Sequence, residues 1–348
     1  MPGLARTALR LLAALALMAL AVWLVGWERL RQQLLHVDRA WLAAAVLSAG
    51  LAQWVSVLRW EIIARIFGLR VRTRALAIAY AQGMTLNVLL PGATLGGDAL
   101  RSVRLQSLGN PLGESALTVM LDRLSGLWVL CVLSLLTGAV LALLLALQPG
   151  GTALGPGGEA VLSSALPWAA RHLGMAGVLL AYLAALALLS AIPWLPLRPA
   201  AATPAAARAG GVARRALDRL RRLHDLAVAE RGPLWRSIWS SVLVQVLSAM
   251  TLWLCARAAG GQVGFWQVQA VAAPVFIAGA LPLSYGGFGA RELMALIAFP
   301  LVGMAPDLGL AASALYGLVA VILGLLAAPS FALAGHAGTG AGRGPAGA

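Results

Sequence analysis

There is no lysine anywhere in the chain. A Walker-type phosphate loop needs one to reach the phosphates, and a Schiff-base enzyme needs its amine, so both classes are excluded. Charge of either sign is sparse: 11% of residues are charged, against about 25% in soluble domains. Negative charge is scarcer still, with 12 acidic residues against 26 basic ones, all arginine, for a net +14. The two cysteines, Cys131 and Cys255, lie far apart in apolar runs and read as packing residues, not a disulfide framework. His36, His172, His224 and His336 show no metal-ligand spacing, so neither a metal nor another cofactor is expected.

Apolar residues fill the remaining space, making up 61% of the sequence, and mean hydropathy is +0.86. Such a chain uses lipid as its solvent. Its long uninterrupted runs indicate helices, because membrane barrels read as short alternating segments. The arginine excess then reads as cytoplasmic loops facing anionic lipid, and no nucleic-acid partner is expected.

The first apolar run covers about 8–26. Ala19-Leu20-Ala21 has a small-x-small form, but Val22-Trp23-Leu24-Val25 continues past it, so an uncleaved anchor is favoured over a signal peptide. Further spans are expected at about 40–58, 117–147, 173–195, 235–258 and 308–334, with shorter apolar segments at 75–92 and 267–282. Arginines crowd two loops, Arg59 to Arg74 and 196–236, which places both in the cytoplasm. An even number of crossings must separate them, yet three apolar segments intervene. The 75–92 segment is short and ends in Pro91-Gly92, so it is expected to be a re-entrant hairpin. Within the second loop, Leu217, Leu220, Leu223 and Leu226 recur between charges, suggesting an amphipathic helix on the membrane surface or a solvated one. The Gly/Ala-rich tail, 335–348, is expected to be disordered.

One pattern occurs twice. Leu90-Pro91-Gly92-Ala93-Thr94-Leu95-Gly96-Gly97-Asp98-Ala99-Leu100-Arg101 is echoed by Leu281-Pro282-Leu283-Ser284-Tyr285-Gly286-Gly287-Phe288-Gly289-Ala290-Arg291-Glu292. The arginine follows the second glycine by four residues in both, with one more residue between proline and glycine in the first. Helix breakers beside charges, at corresponding places in two halves, point to a transport site between repeats. The expected architecture is all-α: a polytopic membrane helix bundle, one membrane domain over 1–334. It comprises an inverted repeat of about 8–147 and 173–334, two re-entrant hairpins and a cytoplasmic basic loop at 199–231.

Irregular backbone at membrane depth survives only inside protein or beside a wet cavity. The candidate substrate-binding residues are therefore Asn87, Pro91, Gly96, Gly97, Asp98, Arg101, Asp122, Arg123, Pro282, Gly286, Gly287, Arg291 and Glu292, with Ser284 and Tyr285 as further hydrogen-bonding groups. Arg101, Arg123 and Arg291 offer paired N–H donors to a phosphate, while Asp98, Asp122 and Glu292 balance them. The glycines either let the backbone turn and expose N–H groups to an anion, or allow close helix packing. The bland alternative is structural: three local ion pairs that pin the hairpins in place. No catalytic residue is assigned. The tryptophans near span ends are read mostly as interfacial anchors.

The run Asn87 to Arg101, then Asp122-Arg123-Leu124-Ser125-Gly126-Leu127, then Pro282 to Glu292, resembles the lysylphosphatidylglycerol synthase transmembrane (flippase-like) family. The resemblance spans about 8–334. It implies a multi-pass protein of the cytoplasmic membrane. One branch of the family is the lipid-translocating half of enzymes that aminoacylate phosphatidylglycerol; others are linked to hopanoid or polyprenyl-linked glycan pathways. The aminoacyl-transferase domain of the first branch is not found in this sequence, so translocation or binding of a polar-headgroup lipid is the favoured function. The alternatives are a membrane transferase, with Asp98 or Glu292 as general base, and a scaffold that recruits a lipid-modifying enzyme through the basic loop.

Overall fold

The computed structural model describes residues 36–89, 94–146, 183–185, 187–188, 231–281 and 288–335. The elements among them are α1 (Arg39–Ile66), α2 (Thr73–Leu89), α3 (Thr94–Gln106), α4 (Leu112–Ala146), α5 (Arg231–Ala258), α6 (Phe265–Ala280), α7 (Ala290–Ala298), a 3-10 turn (Phe299–Val302), α8 (Pro306–Ala327) and α9 (Ser330–Gly335). The fold is all-helical. Four stretches among the described residues are long and apolar enough to cross a bilayer: Arg39–Ile66, Leu112–Leu141, Gly232–Ala258 and Pro306–Ala332. The anchor at 8–26, nearly all of the 173–195 run, the basic loop up to residue 230 and the tail beyond Gly335 lie outside the described residues. So do Pro91, Pro282, Ser284, Tyr285, Gly286 and Gly287.

Local chemistry sets the helix ends. The Asp38 carboxylate caps α1 by accepting from the Ala40 and Trp41 N–H groups. Gly109, with φ of +88°, takes the left-handed turn after α3, and Pro111 then leads into α4. In α6, Pro274 interrupts the helix. Ser134 of α4 fills the gap, its hydroxyl donating to the Gln269 carbonyl at 2.8 Å and accepting from the Ala273 N–H at 3.1 Å.

The short helices form two hairpins. At 17 residues α2 extends about 25 Å, less than a hydrocarbon core of about 30 Å. It packs antiparallel to α3, and the open end of the pair is tied shut. The Arg70 N–H donates to Asn110 Oδ1 at 2.7 Å, and Asn110 Nδ2 donates to the Arg70 carbonyl at 2.9 Å. The second hairpin is α6 with α7 and the 3-10 turn. Its open end is tied by Gln267, whose Nε2 donates to the Val302 carbonyl and whose Oε1 accepts from the Gly264 N–H.

The long helices α1 and α5 run antiparallel. The Asp38 N–H meets the Ala258 carbonyl at 3.0 Å, Ser48 Oγ the Leu247 carbonyl at 3.1 Å, and Arg59 Nη1 the Ser241 hydroxyl at 3.4 Å. Small residues in this seam, Ala45, Ala49, Cys255 and Ala258, let the helices approach closely. Neighbour relations repeat between the halves. Helix α2 lies on α3 as α6 lies on α7, and α3 on α4 as α7 on α8; across the halves, α4 touches α6 as α8 touches α2. Each hairpin has its own apolar core. Val57, Trp60, Leu76, Leu105 and Val119 hold the first, and Leu252, Val268, Val275, Ala295 and Phe299 the second.

One expectation is corrected. Arg59 does not begin the exposed arginine loop; α1 continues to Ile66, and Arg59 is buried inside it. The reason is a tertiary partner, the carboxylate of Asp122 on α4. Arg65 near the end of α1, Arg70 and Arg72 in the loop after it, and Arg74 at the start of α2 are exposed.

Candidate functional site

A cavity of about 470 Å³ opens between the halves, lined by residues of α1 to α6 and α8. Its charged wall joins three helices. Asp122 is 1% exposed and accepts from Arg59 Nε at 2.8 Å and from Arg101 Nη2 at 2.9 Å. Arg101 Nη1 reaches Asp98 at 3.4 Å, and Asp98 is gripped by Arg123 through Nε at 2.9 Å and Nη2 at 3.0 Å. The result is a chain, Arg59–Asp122–Arg101–Asp98–Arg123, whose charges leave one positive in excess.

Of the three local pairs the sequence suggests, Asp98–Arg101 and Arg291–Glu292 form and Asp122–Arg123 does not. Asp122 and Arg123 are neighbours in sequence but do not bond, because adjacent helical residues point in different directions. Asp122 faces inward, whereas the Arg123 side chain is 47% exposed.

Arg101 is held on all sides. Its guanidinium carbon lies 4.2 Å from the Trp60 ring centroid and 4.4 Å from that of Tyr80. Trp60 is thus a fully buried platform and not an interfacial anchor, with its indole N–H on Thr118. Arg101 Nε is buried without a hydrogen-bond partner among the described residues, as is Asn87 Oδ1, and both residues line the cavity.

Gly96 and Gly97 belong to the first turns of α3, so their role is helical approach and not a turn. A methyl group on Gly97 would lie 2.3 Å from Asn87 Oδ1 and 2.5 Å from the Gly83 carbonyl. Gly83, in turn, faces the Arg101 side chain, and Gly279 faces that of Arg291. Each hairpin therefore seats its arginine against a glycine of the opposite limb. Gly126 does the same for α4, where an added methyl would meet Arg59 Nη1 at 3.0 Å and Gln245 Nε2 at 3.1 Å.

The second arginine has a different environment. Glu292 is fully buried and accepts from Arg291 Nη2 at 2.6 Å, from the Gly289 N–H at 2.6 Å and from the Ser313 hydroxyl at 3.2 Å. Tyr316 and Phe288 flank the Arg291 guanidinium. Arg291 and Glu292 do not line the cavity; Gly279 and Tyr316 stand at that wall instead. The structure thus gathers Asn87, Arg101, Asp122 and Arg123 around one cavity, bonds Asp98 to two of its arginines, and keeps Arg291 and Glu292 off its wall.

Sequence reasoning missed Arg59, Gln53, Ser56, Ser241, Gln245 and Ser248. Their signal is spacing: 53, 56, 59 and 241, 245, 248 each mark one face of a helix that is otherwise apolar. The described residues contain no group of three or more His, Cys, Asp or Glu side chains suited to a metal.

A comparison with curated proteins gives no match. A family model described as the lysylphosphatidylglycerol synthase TM region matches residues 8–328. The four apolar helices accord with a multi-pass membrane region. With nearly its whole length matched, the chain belongs to the lysylphosphatidylglycerol synthase transmembrane-region family.

Proposed function

We propose that the protein binds the anionic headgroup of a lipid in the central cavity and moves it across the cytoplasmic membrane while the acyl chains stay in lipid. One observation carries this reading: a cavity lined by Arg59, Arg101, Arg123 and Asp122, in an ion-pair chain that Asp98 completes and that leaves one positive charge unmatched. Intramembrane charge is costly, at about 2.5–3.5 kcal/mol per residue on insertion scales, and commonly marks a substrate path. Arg123 is the arginine placed to exchange partners, since it is half-exposed and bound to Asp98 alone. A phosphate that takes Arg123 from Asp98 keeps the bidentate geometry that guanidinium favours.

Two structural features support an inverted repeat with re-entrant hairpins. The equivalent helices α1 and α5 are antiparallel, which is what a two-fold axis in the membrane plane produces. The tied hairpin ends at Arg70–Asn110 and Gln267–Val302 bring each hairpin back to the level where it started. The family name links the region to an aminoacylated phosphatidylglycerol, a lipid that also carries a phosphodiester.

The test is translocation of labelled lipid in proteoliposomes, with binding measured in parallel. Arg123→Ala should abolish uptake of anionic lipid and leave the purified protein folded, because Asp98 keeps Arg101 as a partner. Anionic lipid that binds no better than phosphatidylcholine, and crosses no faster than in empty vesicles, refutes the proposal.

A further inference from the structure

The cavity has a second wall without charge, built where α1 and α5 cross it. Gln53 lies two helical steps of three residues before Arg59, with Ser56 between them. Gln245 lies one turn after Ser241, the hydroxyl that accepts from Arg59. Because the two helices are antiparallel, both glutamines depart from the arginines in the same direction. Beyond them the seam closes, with the Thr251 hydroxyl on Ser48 at 3.2 Å.

Neither glutamine amide has a protein hydrogen-bond partner among the described residues, yet Gln245 is only 9% exposed and lines the cavity. The serines nearby donate to their own helix carbonyls, Ser56 to Ala52 and Ser248 to Val244, so the two amides are the side-chain groups on this wall that face the cavity free to meet a ligand. Gly126 leaves room for the Gln245 amide beside Arg59.

We infer that Gln53 and Gln245 form an uncharged subsite that reads hydroxyl groups on a headgroup whose phosphate rests on the arginines. The ligand class is a phosphodiester lipid bearing a neutral, hydroxylated substituent. This inference rests on the anionic-headgroup reading above. A primary amide presents a donor and an acceptor side by side, and a hydroxyl is the group that answers both. An ammonium substituent uses the carbonyl alone, and a second phosphate the NH₂ alone while facing the carbonyl oxygen. The cavity volume lies within the range of small-ligand sites, about 300–1,000 Å³.

The experiment compares lipids of equal charge on the full chain in detergent, by native mass spectrometry. Phosphatidylglycerol and phosphatidylinositol carry hydroxyls, phosphatidylmethanol carries none, and phosphatidylcholine is the neutral control. The wild type should prefer the hydroxylated pair over phosphatidylmethanol by about five-fold or more, the worth of one or two hydrogen bonds. Gln245→Met should bring that ratio close to one with phosphatidylmethanol binding unchanged, while Arg123→Ala should weaken all three anionic lipids alike. Gln53→Met, at a half-exposed position, gives the same readout should the buried variant fail to fold. Anionic lipids that bind without regard to their hydroxyls, or glutamine variants that keep the wild-type ratio, overturn the subsite and leave the headgroup reading standing. Anionic lipids that bind no better than phosphatidylcholine overturn both.

Discussion

Replacing Asp122 with asparagine removes one charge and leaves the shape in place. The magnitude follows from the geometry. The Asp122 carboxylate bonds Arg59 at 2.8 Å and Arg101 at 2.9 Å, with side-chain exposures of 2%, 6% and 4% for the three residues. Breaking a buried ion pair by removing one member costs about 3–5 kcal/mol. Asparagine keeps one acceptor oxygen for one arginine but turns an NH₂ donor toward the other, so a loss of at least about 3 kcal/mol is expected. That is a large part of a typical stability of about 5–15 kcal/mol. The assay is SDS unfolding of detergent-purified protein followed by tryptophan fluorescence. Arg59→Gln on the same background should recover part of the loss, with a coupling of about 1–3 kcal/mol in the double-mutant cycle. The variant cavity carries more net positive charge, so added anionic lipid should raise its stability more steeply than that of the wild type. A change within about 0.5 kcal/mol, the range of ordinary surface substitutions, with no coupling to Arg59, would refute the description of Asp122 as the junction of the cluster.

Three further outcomes can be checked with the same preparation. Gly97→Ala should destabilise the first hairpin by about 1–3 kcal/mol, and Asn87→Ala should not rescue it, because the Gly83 carbonyl still blocks the methyl; unfolding midpoints decide this. Arg291→Ala leaves Glu292 buried and unpaired, so it should cost about 3–5 kcal/mol yet leave the lipid selectivity of the surviving folded fraction unchanged, as measured by native mass spectrometry. Asn110→Ala cuts both bonds that tie Arg70 to the far end of the hairpin; proteolysis or hydrogen exchange should show faster opening of α2–α3 with little change in α6–α7.

The helical class was legible because it depends on local features. The α4 run is continuous and apolar, and the short apolar segment expected at 75–92 overlaps α2 at 73–89. The charge cluster was only half legible. Arg101 and Asp98 announce themselves beside Gly96 and Gly97, but the partner of Arg59 lies 63 residues away on another helix. With no partner visible, an arginine at the end of an apolar run reads as the start of a loop. Periodicity held a correction, since Gln53, Ser56 and Arg59 share a face of an otherwise apolar helix. Adjacency misled at Asp122-Arg123, where helical geometry separates neighbours that a linear reading joins. The repeat misled in another way. It placed Arg291 and Arg101 on an equal footing, whereas Ser313 and Gly317 let Arg291 and Phe288 nestle against α8, out of reach of the cavity. Matching motifs preserved the backbone plan but not the surroundings.

The exchange of neighbours between the halves bears on motion. If each half can adopt the other's internal geometry, the same set of helix contacts describes two shapes of one molecule, related by a half-turn about the α1–α5 seam. The alternative shape would need no new fold, only a trade of hairpin tilts, with the pocket opening toward the opposite leaflet. Because the charges that line the cavity all belong to α1, α3 and α4, the two shapes would differ in electrostatic energy, and the resting molecule would favour one side of the bilayer.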